Sequence, residues 1–222
     1  MRFKLAFILL ITVSLSIVTT PASARNSAQD IKYNKIRSLA PNINPKALKL
    51  ALTAYYHARA NGLDRKEILT VVDFTHPSSE ERLWVFDLKN DQLLFRTYVT
   101  HGKYTGSLYA RHFSNRPGSE ESSIGLFLTE NPYYGHVGYA MRLAGLEPGI
   151  NNNAERRAIV VHGAQYADAH YVAKYGRLGR SWGCFAVAAQ EVHEIISVIK
   201  DGTLIFAYYP DQYWLSHSRF LS

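Results

Sequence analysis

The segments IVVHGA at residues 159–164 and RSWGCFA at residues 180–186 contain the residues on which a catalytic interpretation depends. His162 ends an apolar, β-branched run of the kind that forms a buried strand, and such a rigid element can hold an imidazole in place. Cys184, the only cysteine of the chain, follows a glycine in a Ser-x-Gly-Cys turn. A neighbouring imidazole can form an ion pair with a thiol and lower its pKa. Together the two segments predict a cysteine nucleophile with a histidine base.

The N-terminus has the pattern of a secretory signal peptide. Two positive charges precede an apolar run at residues 5–18, which is short for a membrane span, and Ala22-Ser23-Ala24 matches a signal peptidase site. We expect cleavage near Ala24, which removes residues 1–24, lowers the formal net charge from +7 to +5 and leaves a periplasmic or secreted protein. Its membrane contact is then limited to the cleaved signal peptide. A lone thiol in an oxidising compartment is either buried and inert or kept for its reactivity.

The turn before the cysteine also fits catalysis. Gly183 permits a tight turn, so backbone N–H groups between Ser181 and Cys184 can face a developing oxyanion. Each feature alone also fits a structural role, because strand-end histidines often only support a fold and Gly-Cys pairs are common. The export signal and the single thiol together favour the catalytic interpretation.

The rest of the chain predicts a mainly β domain preceded by helices. Residues 25–67 are predicted to form a helical N-terminal extension, with a flexible lead-in that holds one short helix and then an amphipathic helix at about residues 45–60. Residues 68–222 form the predicted catalytic domain, in which residues 192–199 form a second helix. The predicted strands cover residues 69–74, 83–87, 93–99, 125–129, 139–143, 158–162 and 203–209.

With His162-Gly163 followed by Ser181-x-Gly183-Cys184, the chain resembles the catalytic domain of L,D-transpeptidases, the YkuD-like superfamily. Cys184 follows His162 by 22 positions, as in that family's pattern. The resemblance extends over about residues 71–209. Further matching stretches are Phe113-Ser114-Asn115, Ser122-Ser123-x-Gly125-x-Phe127, Arg142-Leu143-x-Gly145-Leu146-Glu147 and Asn152-Asn153-Ala154.

The resemblance implies a fold and a mechanism. The fold is a mixed β-sandwich within a mainly β, α+β class. Cys184 is the nucleophile that attacks the carbonyl of a meso-diaminopimelate-type residue and forms a thioester, and His162, followed by Gly163, is the base. The turn containing Ser181 and Gly183 is the implied oxyanion site. No cofactor and no metal are implied.

The chain departs from the family pattern beside the nucleophile. Trp182 replaces the usual histidine, and the usual arginine and asparagine after the cysteine are absent. Acid–base work then falls on His162 alone, with its other ring nitrogen held by a backbone carbonyl or a hydroxyl. The substrate carboxylate has no obvious partner, and each candidate arginine also fits a solvated surface charge. The candidate substrate-binding residues are Trp182, Arg180, Arg142, Arg177, Asn153 and His136.

The function that follows is a peptidoglycan L,D-transpeptidase with stem peptides as donor and acceptor. An outer-membrane protein is a further candidate acceptor, and the scattered positive charges argue against nucleic acid. A cysteine-dependent L,D-endopeptidase or amidase that hydrolyses the same bond is the first alternative. The others are a non-catalytic wall-binding module and a zinc-dependent wall peptidase, for which the possible ligands are His162, Asp168, His170, His193 and Glu194.

Overall fold

The computed structural model describes residues 22–221, with side chains from residue 28 onward. The predicted signal peptide, residues 1–24, lies outside the described residues except for its last three. No helix within the described range is both long and apolar enough to cross a bilayer.

Two helices open the described chain, α1 at Ala22–Leu39 and α2 at Pro45–Ala60. α2 starts where the sequence predicts, because the Asn44 side chain accepts from the Lys46 N–H at 2.9 Å and Pro45 is already fixed in a helical φ. α1 spans 18 residues and so is longer than the predicted lead-in with one short helix.

Eight strands form one continuous, nearly barrel-like mixed sheet in the order β3-β2-β1-β8-β4-β5-β6-β7. β6 lies antiparallel to β5 and parallel to β7. The predicted mainly β, α+β fold with a helical N-terminal part is therefore confirmed. The strands are β1 Ile68–Asp73, β2 Leu83–Asp87, β3 Gln92–Thr97, β4 Gly125–Gly135, β5 Gly138–Gly145, β6 Val160–Ala164, β7 Phe185–Ala188 and β8 Leu204–Tyr208.

Three further helices lie between or after these strands, α3 at Ala169–Tyr175, α4 at Val192–Ile199 and α5 at Gln212–His217. α4 has the predicted bounds and buries its apolar face. β6 begins two residues later than predicted, because Ala158 adopts a left-handed φ of 53° that interrupts extended backbone.

The core is continuous across the predicted boundary at residue 68. Ile36 of α1 and Tyr55 of α2 belong to the same buried cluster as the strands. Backbone bonds also cross the boundary, since the Leu88 N–H donates to the Glu67 carbonyl at 2.8 Å. The helical part is thus packed directly on the sheet that carries the site.

Candidate active site

The two diagnostic segments meet where β6 and β7 run side by side. His162 lies opposite Ala186 and Val161 opposite Phe185, so Cys184, one residue before β7, lies beside the start of β6. The half-buried Cys184 Sγ donates to the Ala158 carbonyl at 3.4 Å. Strand pairing therefore brings the predicted nucleophile and base to one end of two neighbouring strands.

His162 is held in one orientation on β6. Its side chain is only 5% exposed, and its Nδ1 lies 3.0 Å from the Gly163 carbonyl oxygen. A carbonyl can only accept, so Nδ1 carries the proton and Nε2 keeps the lone pair. Burial lowers the pKa of His162, and the bond to Gly163 opposes that shift. The imidazole is therefore neutral near pH 7 and available as a base, with a backbone carbonyl holding it as predicted.

Gly163 has no side chain, and this allows α4 and the residues before it to pack closely against β6. A Cβ at residue 163 would lie 2.9 Å from Val192 Cγ1 and 3.1 Å from Ala189 Cα. A larger residue would push the helix away from the strand that carries His162.

The Cys184 thiol lies in an environment with opposing effects. Burial raises its pKa, while the Val160 N–H and the Arg157 guanidinium lower it, and burial prevails. Burial also lowers the pKa of His162, so both shifts favour the neutral forms of the thiol and the imidazole near pH 7. The ion pair that the sequence suggests would require the opposite shift of the thiol pKa.

The neutral pair makes a testable prediction about pH. Only the thiolate reacts with iodoacetamide, so a raised pKa moves its formation to higher pH. We expect the alkylation rate of Cys184 to rise continuously through about pH 8.5, the ordinary thiol value, without a plateau near neutrality. Mass spectrometry of the adduct across a pH series, with a free cysteine peptide as reference, measures this. A plateau below about pH 7 would indicate a stable ion pair instead.

The turn before Cys184 is built around Ser181. Its Oγ donates to the Cys184 carbonyl at 2.7 Å and accepts the Gly183 N–H at 3.2 Å. Gly183 has a φ of 113°, and a Cβ there would lie 2.6 Å from the Glu121 carbonyl oxygen. Glycine is therefore required, as predicted. Because the Gly183 N–H is bonded to Ser181 Oγ, it is not free to donate to an oxyanion.

A buried network missed by the sequence analysis anchors this turn. The His101 carbonyl accepts the Ser181 N–H at 3.0 Å, and Ser122 Oγ donates to the Gly183 carbonyl at 3.2 Å. His101 Nδ1 accepts from Arg82 at 2.8 Å. Burial first, and then the Arg82 charge, lower the pKa of His101 to about 3, so it stays neutral.

Three predicted substrate-binding residues lie in the turn before the nucleophile or in the sheet beside it. Trp182, two residues before Cys184 in the chain, is 74% exposed. Arg142 lies opposite Val160 in the sheet and stacks on the Tyr133 ring at 4.1 Å. It lines a cavity of about 100 Å³ together with Val160, whose N–H faces the thiol. Arg180 is exposed and donates to the Lys103 carbonyl at 3.4 Å.

The other three predicted substrate-binding residues either hydrogen-bond to backbone carbonyls or lie exposed in a turn. The Asn153 side chain donates to the Asn115 carbonyl at 3.0 Å and so ties two loops together. Arg177 donates to the adjacent Leu178 carbonyl at 2.8 Å. His136 is exposed in the turn of the β4–β5 hairpin, and β5 continues from that turn to Ala140, the partner of His162. None of the contacts given for these three residues includes the thiol.

A second, open cleft of about 640 Å³ lies beyond the carboxyl ends of β6 and β7. Its aromatic residues are Tyr166, Tyr171 and Tyr175. Tyr166 lines this cleft and also senses the nucleophile, because burial and then the charge of Cys184 raise the pKa of Tyr166. The sequence shows only scattered tyrosines here, without a pattern that marks a cleft.

The ligands suggested for zinc do not cluster. His193 stacks on Tyr139 at 4.3 Å between ring centroids, while His170 and Asp168 lie 3.9 Å apart at the start of α3. Across residues 28–221, no three His, Cys, Asp or Glu side chains are arranged to hold a metal ion.

Comparison with known families identifies the family of the chain. The model of the L,D-transpeptidase catalytic domain matches residues 39–208, which is most of the chain. The chain belongs to this family. The match begins at Leu39, the last residue of α1, so it includes α2 as well as the eight strands. No curated protein matches at a significant level.

Solved L,D-transpeptidase structures show a distant likeness. An L,D-transpeptidase from Mycobacterium smegmatis is 15% identical with a TM-score of 0.39, over 64% of this chain and 59% of that one. The helical cell shape determining protein Pgp2 from Campylobacter jejuni is 10% identical with a TM-score of 0.42, over 73% and 55%. An L,D-transpeptidase from Stackebrandtia nassauensis is 11% identical with a TM-score of 0.39, over 81% and 77%. The match thus spans less than two thirds of the first two proteins.

Proposed function

We propose that this protein is a peptidoglycan L,D-transpeptidase that forms a thioester on Cys184. The observation that carries the proposal is the pairing of β6 with β7, which places the thiol beside the strand that holds His162. With Nδ1 bonded to the Gly163 carbonyl, the free Nε2 is the atom that accepts a proton.

In the first half-reaction, His162 takes the thiol proton as Cys184 Sγ attacks the carbonyl of a diaminopimelate-type residue. The C–N bond to the terminal D-amino acid breaks, and the leaving amine receives the proton from His162. The N–H groups of Trp182 and Cys184 stabilise the oxyanion. In the second half-reaction, an acceptor amine attacks the thioester, gives its proton to His162, and the proton returns to the released thiolate.

The substrates of this proposal are stem peptides of the wall, as donor and as acceptor. An outer-membrane protein with a free amine is an alternative acceptor. Because these substrates lie outside the cytoplasmic membrane, the proposal includes export through the signal peptide at residues 1–24 to the periplasm or the exterior. No cofactor takes part in either half-reaction.

Defined muropeptides test the function directly. With a tetrapeptide donor and an acceptor in excess, we expect crosslinked product of the corresponding mass. A chelator should leave the activity intact, while a thiol alkylator should abolish it. The reverse pattern would replace the proposal with a zinc peptidase, and wall binding without turnover would indicate a binding module.

Hydrolysis is the second candidate, and the exposure of Trp182 favours it. A ring that is 74% exposed does not cover the thioester in the free protein, so water can reach it. For a transpeptidase, Trp182 has to pack over the acyl-enzyme together with the bound acceptor. An L,D-endopeptidase would need no such cover.

Replacement of Trp182 tests this point. In Trp182→Ala we expect the ratio of hydrolysed to crosslinked product to rise several-fold, because apolar surface that excludes water is lost. Product masses with a tetrapeptide donor give the ratio. Tyr213→Ala removes an aromatic ring of similar exposure on α5 and serves as the control. If both products decline in the same proportion, Trp182 only packs the turn. Wild-type enzyme that makes only tripeptide would be an endopeptidase.

A further inference from the structure

Arg157 lies three residues before β6 and is half-buried. Its guanidinium donates to four oxygens of one loop: the carbonyls of Ser114 and Glu121 and the hydroxyls of Ser119, at 3.1 Å, and Ser123, at 2.5 Å. All four acceptors are neutral. The hydrogen bonds therefore fix the position of the positive charge without cancelling it.

The same residue borders the nucleophile from two sides. Its backbone continues into Ala158, whose carbonyl accepts from the Cys184 thiol. Its side chain holds the Glu121 carbonyl, the group that excludes a Cβ from Gly183. Arg157 thus connects the start of β6, the loop at residues 114–123 and the turn before the cysteine.

We propose that Arg157 is a positioning residue that holds a fixed positive charge beside Cys184 and stabilises its thiolate as the proton leaves. The inference rests on the proposed function only in taking Cys184 as the reacting group. A half-buried guanidinium interacts with an anion more strongly than an exposed one, because less water screens the pair.

The surrounding charges agree with this role. Arg157 lowers the pKa of the Cys184 thiol, and burial lowers the pKa of Arg157 itself, while Glu121 and then Cys184 raise it. Two further titratable groups lie on this side of the structure: Tyr166, whose pKa burial and then Cys184 raise, and His162 on the neighbouring strand β6, which burial keeps neutral near pH 7. Among the groups that lower the pKa of the Cys184 thiol, Arg157 is the one that carries a positive charge.

The test measures thiol reactivity in the full chain after signal cleavage. Iodoacetamide alkylation of Cys184 is followed across a pH series in wild type, Arg157→Met and Arg157→Lys. The control is Arg156→Met, which removes the exposed charge of the preceding residue. We expect Arg157→Met to slow alkylation near neutral pH about tenfold and to move its profile to higher pH. Arg157→Lys and Arg156→Met should stay close to wild type.

The variants separate charge from loop support. A lysine keeps the charge but not the four-way bonding, so a shift of equal size in Arg157→Lys and Arg157→Met would overturn the proposal in favour of a structural role. A wild-type profile in a folded Arg157→Met would overturn it as well. If Arg157→Met does not fold, Arg157→Gln takes its place, because the amide keeps part of the bonding without charge. Since alkylation needs no substrate, these outcomes are independent of whether the enzyme transfers stem peptides.

Discussion

Cys184→Ala is expected to reduce both crosslinked and hydrolysed product below detection, a loss of at least about 10⁴-fold. In the proposed mechanism the thiol forms the covalent bond to the donor, so its removal leaves only binding and oxyanion contacts. Steady-state assays with a tetrapeptide donor measure the loss. A carbapenem, which the family assignment suggests as an acylating probe, should form one adduct on wild type and none on the variant.

The control for this variant is a comparison of its thermal unfolding with that of wild type, which excludes loss of structure as the cause of lost activity. Cys184 is half-buried at the edge of β7, so alanine should leave the thermal unfolding midpoint within a few degrees of wild type. A folded Cys184→Ala that still turns over substrate would show that another group is the nucleophile.

His162→Ala is expected to slow acylation of Cys184 by about 100-fold to 10,000-fold, the usual scale for loss of a general base. In the proposed mechanism Nε2 of the buried His162 imidazole accepts the thiol proton, because Nδ1 is bonded to the Gly163 carbonyl. Stopped-flow or mass measurements of carbapenem acylation give the rate. His217→Ala, an exposed histidine on α5, is the matched control.

The pH profile distinguishes loss of the base from loss of structure. In His162→Ala, acylation should recover partly at high pH, where hydroxide generates the thiolate without a base. An adduct that forms equally fast without His162 would refute its role as the base.

The sequence predicts those helices and strands that depend on residues close together in the chain. α2 begins at a cap followed by proline, and α4 repeats apolar residues at helical spacing. β7 was not predicted because FAVA is a four-residue run buried throughout, which lacks the alternation of a half-exposed strand. α3 was not predicted because none of its residues is buried, so it has no apolar stripe.

The same distinction holds for the site. His162 and Cys184 are marked by their own segments, and Gly183 by its place before the cysteine. Arg157 is not marked, since nothing in NNNAERR separates it from Arg156, and its partners are 34 to 43 positions away. The support that Ser122 gives Gly183 spans 61 positions. Contacts of this kind arise only from the folded arrangement of the loops.

Intact mass measurement of the enzyme during turnover shows whether Cys184 carries the acyl group. With a tetrapeptide donor and no acceptor, we predict one added mass equal to the donor minus its terminal D-amino acid, located on the peptide that contains Cys184. Hydroxylamine should remove the adduct, as expected for a thioester, and Cys184→Ala should not form it. Rapid product formation without any adduct, at a rate that Cys184→Ala retains, would contradict the account.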